Sequence, residues 1–478
     1  MKSEQEQTGS GAFNLYLASC TVNIGALAAG CALTWSSPTI PKLEEGDPSA
    51  DGLIISRSEG GWIGSLIALG AAIGPLIAGA LIDRFGRKRT VLFAMVLFVI
   101  SWLVIGFFPR LYAIYVARVI AGVAVGLVYT VNPLYIAEIA EPSLRSSLGT
   151  LMQFFLCAGF LVEYVIGPYT TYFLLVMVSV VPPLLCLGTF IWMPETPQYL
   201  LRNPDNEKQA LASLRWLRGN PEEEFLTKEL GEMKDSLEIT MKQKSGLGEL
   251  FSSVVNIKAL LIAGAMVGFQ QVSGINVVLF YSESIFKSTG SSMSASLSTI
   301  IVGSVMVFAA AMTPPLAKRF GMKALLYTSS IGMTVTLGTL GLYFFQKSLG
   351  HDMASLGWLP VTSLVLYIIT YCFGFGPLPW AIMGEIFPAN LKAVASALTA
   401  SFCWLLGFIL TKSFMTLCDI IGEHFAFWMF SGFCILAFLF TKFLLPDTEG
   451  KTLQEIQDML QGKAPTYDQK PTPYSIDT

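Results

Sequence analysis

The chain has 478 residues, of which 53% are hydrophobic and only 13% are charged. A water-exposed surface cannot accept that composition, so a soluble globular protein is excluded and a polytopic membrane protein is predicted. The formal net charge of −3 says little, because the placement of Lys and Arg among the loops of a membrane protein matters more than their sum.

Apolar stretches recur along the whole chain, each about 20 residues long and able to cross a hydrocarbon layer of roughly 30 Å as a helix. Twelve can be counted, so we predict an all-α membrane protein with twelve transmembrane helices. The predicted spans are Leu15–Trp35, Trp62–Ile82, Val91–Phe108, Tyr112–Tyr135, Leu148–Ile166, Tyr172–Trp192, Ile257–Tyr281, Ser296–Leu316, Ala324–Phe345, Leu359–Met383, Val394–Leu417 and Phe427–Leu445.

A hydrophilic segment separates the sixth predicted span from the seventh. Residues 194–256 carry charge on most helical turns and predict a linker of short helices. We therefore predict a six-helix bundle in residues 1–193, this linker, a second six-helix bundle in residues 257–445 and a tail in residues 446–478. Basic residues concentrate in the loops on the linker's side, so the positive-inside rule places the linker and both termini in the cytoplasm.

Three motifs occur in the same order in both halves, which indicates two homologous bundles. GALIDRFGRKRT follows the second span and PPLAKRFGMKAL the eighth; AEIAEPSLRSS follows the fourth and GEIFPANLKAV the tenth; PETP follows the sixth and PDTEG the twelfth. Duplicated bundles around a central site are typical of transporters that work by alternating access, in which the bundles rock around a site near the midplane.

The stretch GFQQVSGIN places three carboxamides, Gln270, Gln271 and Asn276, within a predicted span. An unpaired buried amide costs roughly 1–3 kcal/mol in proteins, so polar partners must meet them. One interpretation is a polar ligand in a central cavity, and the other is hydrogen bonding between neighbouring helices. Gly274 is expected to loosen the helix between Gln271 and Asn276.

Seven motifs together resemble the sugar porter branch of the major facilitator superfamily, and the resemblance covers nearly the whole chain. They are IDRFGRKR, the Arg118-x-x-x-Gly122-x-x-x-Gly126 spacing, PLYIAEIAEPSLR, PETPQYL, QQVSGIN, GFGPLPW and PDTEGKTLQEI. Facilitative hexose transporters and facilitated trehalose transporters are the most similar members. The resemblance implies the major facilitator fold, with two pseudo-symmetric six-helix bundles, and facilitative transport of a hexose or trehalose by uniport.

The resemblance also implies which residues contact the sugar. Sugar hydroxyls both donate and accept hydrogen bonds, and carboxamides do both without carrying charge. A tryptophan supplies a flat apolar face for the C–H side of the sugar ring, and the Gly and Pro residues of GFGPLPW are expected to break the tenth helix beside one. The expected sugar ligands are Gln153, Gln270, Gln271, Asn276, Trp380 and Trp404.

Charged residues near the ends of the spans are expected to control gating. Ion pairs at a wet interface are worth about 0–1 kcal/mol each, which suits a switch between conformations. The expected gating residues are Asp83, Arg84, Arg87, Arg118, Glu138, Arg145, Glu195, Lys318, Arg319, Glu385 and Lys392. The cytoplasmic latch is expected to use Glu138, Arg145, Arg84 and Glu195 of the first half with Glu385 and Lys392 of the second.

The chain departs from the family pattern at several positions. Lys318 and Met322 stand where an acidic residue and Arg are usual, and Ser146 replaces a usual Gly. Met306 and Cys403 occupy positions that hexose carriers commonly fill with Asn or Gln, so the second half offers fewer hydroxyl contacts. These departures leave the identity of the sugar open.

Two alternatives to uniport remain. Proton-coupled sugar symport needs a titratable carboxylate within the membrane, and Glu163 is the candidate. It lies about one helical turn, roughly 6 Å, from the outer end of its span, where we expect it to reach water. The other alternative is a sugar sensor with this fold and little flux, motivated by Met306 and Cys403.

The sequence contains no nucleophile–base pair, metal-ligand cluster or phosphate-binding glycine loop, so no enzymatic activity, metal or cofactor is expected. The expected partners are a small-molecule sugar and the lipid bilayer, without nucleic acid, and the chain is expected to function as a monomer. Its expected location is the plasma membrane, as a multi-pass protein with both termini in the cytoplasm.

Overall fold

The computed structural model describes residues 2–141, 144–242, 246–290, 293–448, 451 and 453–461. Throughout these residues the regular structure is helical, and they contain no strand. Twelve helical segments among them are long and apolar enough to cross a membrane, which confirms the predicted all-α membrane class. Spans 1 to 12 are Gly11–Glu45, Arg57–Phe85, Arg87–Phe107, Leu111–Ile139, Ser147–Tyr169, Tyr172–Phe190, Val254–Thr289, Ala295–Thr313, Met322–Ser348, Leu359–Ile386, Asn390–Ile421 and Glu423–Phe443.

An even number of spans places both ends of the chain on one side of the membrane, here called the terminal side; the opposite side is the far side. The segment between spans 6 and 7 also lies on the terminal side. Spans 1–6 are called the first half and spans 7–12 the second half. The halves meet where span 1 lies beside span 7, span 2 beside span 11 and span 5 beside span 8.

Spans 7 and 10 are each broken into two helices. Span 7 consists of Val254–Val272 and Ile275–Thr289, and span 10 of Leu359–Phe373 and Leu378–Ile386. At the first break Gly274 has a φ of +87°, in the left-handed region that glycine adopts without the steric penalty of a Cβ. Both breaks lie where the Gly and Pro residues of QQVSGIN and GFGPLPW predict them.

Span 1 also consists of two helices, Lys2–Thr34 and Ser36–Glu45. The predicted span stops at Trp35, because the prolines, hydroxyls and charges of the second helix make that segment too polar to resemble a membrane span. The segment is nevertheless covered by protein, with Ser36 0% and Ser37 1% exposed. Its burial depends on the neighbouring spans and not on its own hydropathy.

Glycines allow spans 2 and 4 to approach closely. A Cβ added to Gly70 would lie 2.9 Å from the Gly122 Cα, and one added to Gly74 would lie 2.6 Å from the Gly126 Cα. Small residues at such crossings let two helix backbones come together. The glycine spacing that follows Arg118 therefore serves helix packing in the first half.

Short helices pack on the terminal side of each half. The linker helices Glu207–Leu217 and Glu223–Lys242 share a small apolar core that includes Leu214 and Leu226. The other short α-helices are Pro197–Leu200, Leu247–Ser252 and Leu453–Gln461. The division at residues 1–193, 194–256, 257–445 and 446–478 stays a prediction.

Candidate functional site

The carboxamides of span 7 flank its break and are covered by protein. Gln270, Gln271 and Asn276 are 4%, 6% and 7% exposed. The two glutamines lie in the last turn of the first helix, and Asn276 lies in the first turn of the second. The break therefore gathers side chains from both helices of the span at one depth in the molecule.

Gln270 connects the break in span 7 to the break in span 10. Its Nε2 donates hydrogen bonds to the carbonyl oxygens of Phe375 and Gly376, over 2.8 Å and 2.7 Å. A broken helix frees backbone carbonyls that hydrocarbon cannot satisfy. Gln270 satisfies two of them, so this residue also fulfils the helix-to-helix role that the sequence left open.

Gln271 and Asn276 form a pair across the break. Asn276 Nδ2 donates to Gln271 Oε1 over 2.7 Å, and Gln271 Nε2 donates to the Cys403 thiol of span 11 over 3.1 Å. Gly407 faces this pair, and a Cβ added there would lie 3.0 Å from Gln271 Oε1. The Cys403 sulfur, a weak hydrogen-bond acceptor, therefore contacts the carboxamides directly.

The cluster retains hydrogen-bonding capacity for a ligand. Gln270 uses both N–H groups on span 10 and keeps its oxygen, from which the Cys403 sulfur lies 3.9 Å away. Within the described residues, Gln271 and Asn276 each keep one N–H, and Asn276 keeps its oxygen. The arrangement can therefore both donate to and accept from a ligand that carries hydroxyl groups.

The two predicted tryptophans occupy different surroundings. Trp404, 4% exposed, meets Tyr129 of the first half edge-on, with ring centroids 5.4 Å apart. Its Nε1 has no hydrogen-bond partner in the described part of the chain, which leaves a buried donor between the halves. Trp380 is partly buried and packs against the apolar cluster around Met383 on the terminal side of the second half.

Within the described residues, neither Gln153 nor Met306 makes a hydrogen bond to the carboxamide cluster. Gln153 is partly buried, and its Nε2 donates to the Cys157 sulfur one turn along the same helix, over 3.4 Å. Met306 is 1% exposed and belongs to the main apolar core. Gln271, Asn276 and Cys403 are thus joined by hydrogen bonds, and the Gln270 oxygen lies 3.9 Å from the Cys403 sulfur, whereas the hydrogen bond of Gln153 stays within the first half.

A tyrosine in the second helix of span 7 closes the far side. The Tyr281 hydroxyl lies within hydrogen-bonding distance of the carbonyl oxygens of Gly61 in span 2, at 3.2 Å, and Thr411 in span 11, at 3.1 Å. A Cβ on Gly64 would lie only 2.6 Å from the same hydroxyl. The sequence does not predict this contact, since its only signal is an aromatic residue after the QQVSGIN motif.

Further bonds fasten this helix to the first half. The Ser36 hydroxyl donates to the Phe280 carbonyl oxygen over 3.1 Å, and the Tyr164 hydroxyl donates to the Leu279 carbonyl oxygen over 2.8 Å. Two ion pairs lie at the far-side surface across the same boundary, Arg57 with Asp419 at 3.2 Å and Lys287 with Glu45 at 2.9 Å. These contacts and Tyr281 are called the far-side seal.

The terminal side of the first half contains a buried ionic cluster. Arg87 pairs with Glu138 over 2.5 Å, and their side chains are 4% and 7% exposed. Glu195 accepts from the backbone N–H groups of Arg87 and Lys88, over 3.2 Å and 3.0 Å. Burial raises the pKa of Glu195 above its ordinary value, while N–H donors from Thr196, Lys88 and Arg87 offset part of that rise.

Three of the expected gating residues lie around the turn at Gly86 and occupy different surroundings. Arg87, not Arg84, pairs with Glu138; Arg84 is exposed and lies over the Phe85 ring. The helix turns at Gly86, which has a φ of +86°, and this turn directs the next residue inward. Asp83 pairs with Arg202 of the linker over 2.6 Å.

The second-half members of the expected latch make no cross-half ion pair in the described residues. Glu385 and Lys392 are exposed, and Arg319 lies over the Phe320 ring. The side chains of Arg145 and Lys318 lie outside the described part of the structure. All the ion pairs described between the halves lie on the far side.

Arg118 lies in the far-side half of span 4, away from the latch. It is fully buried, donating to the carbonyl oxygens of Ala32 and Ile63 over 2.5 Å and 2.9 Å, and its guanidinium lies over the Trp35 ring. Arg118 therefore fastens spans 1, 2 and 4 of the first half together.

The expectation that Glu163 reaches water is wrong. Its side chain is 0% exposed, and its Oε1 accepts a hydrogen bond from the Ser179 hydroxyl over 2.6 Å. Its short distance from the end of the span is irrelevant, because span 1 covers that end: Pro38 packs on Gly167, and Lys42 donates to the Gly167 carbonyl oxygen. Span 1 therefore blocks the access of water to Glu163 from the side.

Comparisons with known proteins agree with this architecture. Residues 14–460 match the family described as sugar (and other) transporter. The facilitated trehalose transporter Tret1 of Anopheles gambiae is 35% identical over 94% of this chain, which spans 56% of that relative's length. Tret1 of Polypedilum vanderplanki is 34% identical over 94% of this chain and 88% of its own length, and the Tret1-2 homolog of Drosophila simulans is 36% identical over 95% and 92%.

Solved structures of a sugar transporter are similar to this chain over nearly its whole length. The inward-open xylose transporter XylE of E. coli has a TM-score of 0.77 and 25% identity over 93% of this chain and 99% of its own. XylE bound to 6-bromo-6-deoxy-D-glucose, described as a proton:xylose symporter, has a TM-score of 0.75 and 26% identity over 94% and 100%. The family and these relatives are transporters and not enzymes, and this multi-pass membrane chain belongs to the sugar (and other) transporter family.

Proposed function

We propose that this chain carries a sugar, a hexose or trehalose, across a membrane by alternating access and without coupling to an ion. Family membership supports the substrate class, and the relatives described as facilitated trehalose transporters support the facilitative mode. The observation that carries the proposal is the carboxamide cluster at the breaks of spans 7 and 10, where uncharged donors and acceptors remain for hydroxyl groups.

In this proposal the sugar binds beside the break in span 7. Gln270, Gln271 and Asn276 supply hydrogen bonds from the second half, and Gln153 adds one from the first half as the bundles close on the substrate. Trp404 donates from its unpaired Nε1 and offers a ring face, and Trp380 limits the site on the terminal side. Carboxamides on both halves let sugar binding favour the closed arrangement, which is what a binding-driven shift of population requires.

The transport cycle alternates between two closures. The far-side seal is one, and its contacts must break for the second helix of span 7 to move away from spans 1 and 2. The other is an ionic latch on the terminal side, for which the proposed residues are Asp83, Arg84, Arg87, Glu138, Arg145, Glu195, Lys318, Arg319, Glu385 and Lys392. Arg118 holds the first half rigid during this motion.

We also propose the plasma membrane as the location. The basic loops on the terminal side support an orientation with both termini in the cytoplasm. The proposed partners are the sugar and the bilayer, with no nucleic acid, and the proposed functional unit is a monomer.

Proteoliposome uptake tests the function. Purified protein is reconstituted, and equilibration of radiolabelled glucose, other hexoses and trehalose is measured with and without a proton gradient. Saturable uptake that stops at the external concentration supports the proposal. Sugar binding without flux would favour the sensor, and the variant Gln271→Ala with Asn276→Ala is the control for the site.

Proton-coupled symport is the second candidate, and one observation favours it. Glu163 is fully buried, and its Oε2 has no hydrogen-bond partner within the described residues. A buried carboxylate of this kind marks proton relays in some membrane transporters, and the similar XylE is described as a proton:xylose symporter. The same uptake assay distinguishes symport from uniport, since only a symporter accumulates sugar above its external concentration.

A further inference from the structure

Lys412 is a cation inside span 11 that the transport proposal does not use. It lies nine residues before the end of the helix at Ile421, about 13 Å along the axis by the rise per residue. Its ammonium lies 4.6 Å from the centroid of the Trp62 ring, and within the described residues it makes no ion pair or hydrogen bond. A lysine at membrane depth is costly and is normally paired or functional.

Lys412 sits at the far-side boundary between the halves, over the Trp62 ring, which belongs to a row of four aromatic rings. The centroid distances are 6.2 Å from Phe408 to Trp62, 6.5 Å from Trp62 to Tyr115 and 6.2 Å from Tyr115 to Tyr112. Tyr112 is 78% and Trp62 38% exposed. Exposed Trp and Tyr side chains mark the headgroup level of a bilayer, so the ammonium lies close to the headgroups of the far-side leaflet.

Apolar and acidic groups lie on either side of Lys412 along the membrane normal. Toward the bilayer centre, Leu405 and Ile409 share its helix face and are 44% and 50% exposed. Toward the far side, Glu59 lies one turn before Trp62 on span 2. Glu59 Oε2 accepts from the Ser56 N–H and hydroxyl, and in the described residues Oε1 is unengaged.

We propose that this surface binds a zwitterionic phospholipid of the far-side leaflet. Lys412 takes the phosphate, Glu59 faces the headgroup ammonium, and the acyl chain lies along Leu405 and Ile409. The order of the charges along the membrane normal indicates this class of lipid. In a zwitterionic phospholipid the phosphate lies nearer the hydrocarbon than the ammonium does, and in the protein Lys412 lies deeper than Glu59. Phosphatidylglycerol, an anionic lipid with a glycerol headgroup, lacks the ammonium, and free phosphate lacks both the ammonium and the acyl chains.

The bound lipid also joins the two halves beside the far-side seal. Tyr281 contacts the carbonyl oxygens of Gly61 and Thr411, which immediately precede Trp62 and Lys412 in the sequence. The lipid therefore favours the far-side-closed state, because it contacts both halves only while spans 2 and 11 stay together.

The test measures lipid binding and not transport. Full-length protein purified in detergent is titrated with phosphatidylethanolamine, phosphatidylcholine, phosphatidylglycerol or sodium phosphate while its melting temperature is followed. The zwitterionic lipids should raise the melting temperature at lower concentrations than phosphatidylglycerol, and sodium phosphate should have no effect. Lys412→Gln should need about fivefold more zwitterionic lipid for the half-maximal shift.

Matched variants complete the experiment. Lys412→Arg should retain the response, and Lys347→Gln, which removes a far-side lysine bonded to Ser288, should leave it unchanged. Glu59→Gln should abolish the preference for zwitterionic over anionic lipid. Equal lipid titrations for wild type and Lys412→Gln, or an equal response of wild type to phosphatidylglycerol, would overturn the proposal, and neither result would bear on sugar transport.

Discussion

Tyr281 and Gly61 belong to opposite halves of the molecule, and the Tyr281 hydroxyl lies 3.2 Å from the Gly61 carbonyl oxygen. The same hydroxyl lies 3.1 Å from the Thr411 carbonyl oxygen. One side chain thus joins spans 2, 7 and 11, and it does so on the helix that continues directly from the carboxamide cluster. A movement at the break in span 7 can therefore reach the far-side seal within a single span.

Tyr281→Phe should weaken the far-side seal without unfolding the protein. The substitution keeps the ring, which stacks on Phe414, and removes hydrogen bonding worth about 0.5–1.5 kcal/mol. We expect the far-side-open population to rise several-fold, measured as faster labelling of a single cysteine introduced at Ser282 in a background without other reactive cysteines.

Tyr343→Phe is the matched control, since its hydroxyl donates to the Thr289 carbonyl oxygen within the second half, over 3.1 Å. Its labelling rate should equal that of the parent protein. Equal rates for all three proteins would mean that Tyr281 does not hold the far side closed.

Local chemistry explains which features the sequence could predict. The breaks in spans 7 and 10 follow from Gly274 and from the Gly and Pro residues of GFGPLPW, because these residues alter the backbone wherever they occur. The twelve spans follow from hydropathy in the same way. The burial of Glu163, the choice of Arg87 over Arg84 and the Tyr281 contact depend on which helices become neighbours. The residue pattern of a single helix does not show which other helices will pack against it.

Gln270→Ala should reduce stability more than Gln271→Ala does. Gln270 satisfies the Phe375 and Gly376 carbonyl oxygens, and leaving buried carbonyls unpaired costs about 1–3 kcal/mol. Gln271 bonds only side chains, so its loss should mainly weaken sugar binding. Thermal unfolding and sugar binding of both variants separate the two effects, and identical melting temperatures would show that the link between the two breaks is not structural.

Cys403→Asn should strengthen sugar binding. The thiol is a weak partner for Gln271, whereas a carboxamide can accept that bond and still donate to a hydroxyl. One added hydrogen bond of about 1 kcal/mol predicts a several-fold lower half-saturation concentration for uptake. Cys434→Ser, at another buried cysteine of the second half, is the control, and an unchanged or higher value for Cys403→Asn would remove Cys403 from the site.

Glu195 should make stability depend on pH. Burial raises its pKa in the folded protein, so the folded state binds the proton more tightly than the unfolded state does. Its contribution therefore favours folding at low pH and is lost as the pH rises from the ordinary glutamate pKa through the raised one. Glu195→Gln should flatten the dependence of melting temperature on pH in that window, and Glu207→Gln, an exposed linker residue, should not.

The last prediction is that transport is uniport, and it depends on whether Glu163 couples a proton to the transport cycle. The carboxylate is buried, so it has the desolvated setting that proton coupling uses, yet its hydrogen bond goes to Ser179 in the same half. Within the described structure it makes no hydrogen bond or ion pair to the carboxamide cluster or to the second half. When the halves rock, Ser179 therefore moves with Glu163, and no described bond links the protonation of Glu163 to the opening of one side.

Glu163→Gln should accordingly retain most of the uptake, because the amide oxygen can still accept from Ser179 and the side chain keeps its shape. Uptake by the parent protein should be insensitive to a protonophore, and Ser179→Ala should also transport. Sugar accumulation above the external concentration, abolished by the protonophore and by Glu163→Gln alike, would establish symport instead. It would also require a route by which a proton reaches a side chain that spans 1 and 6 now enclose.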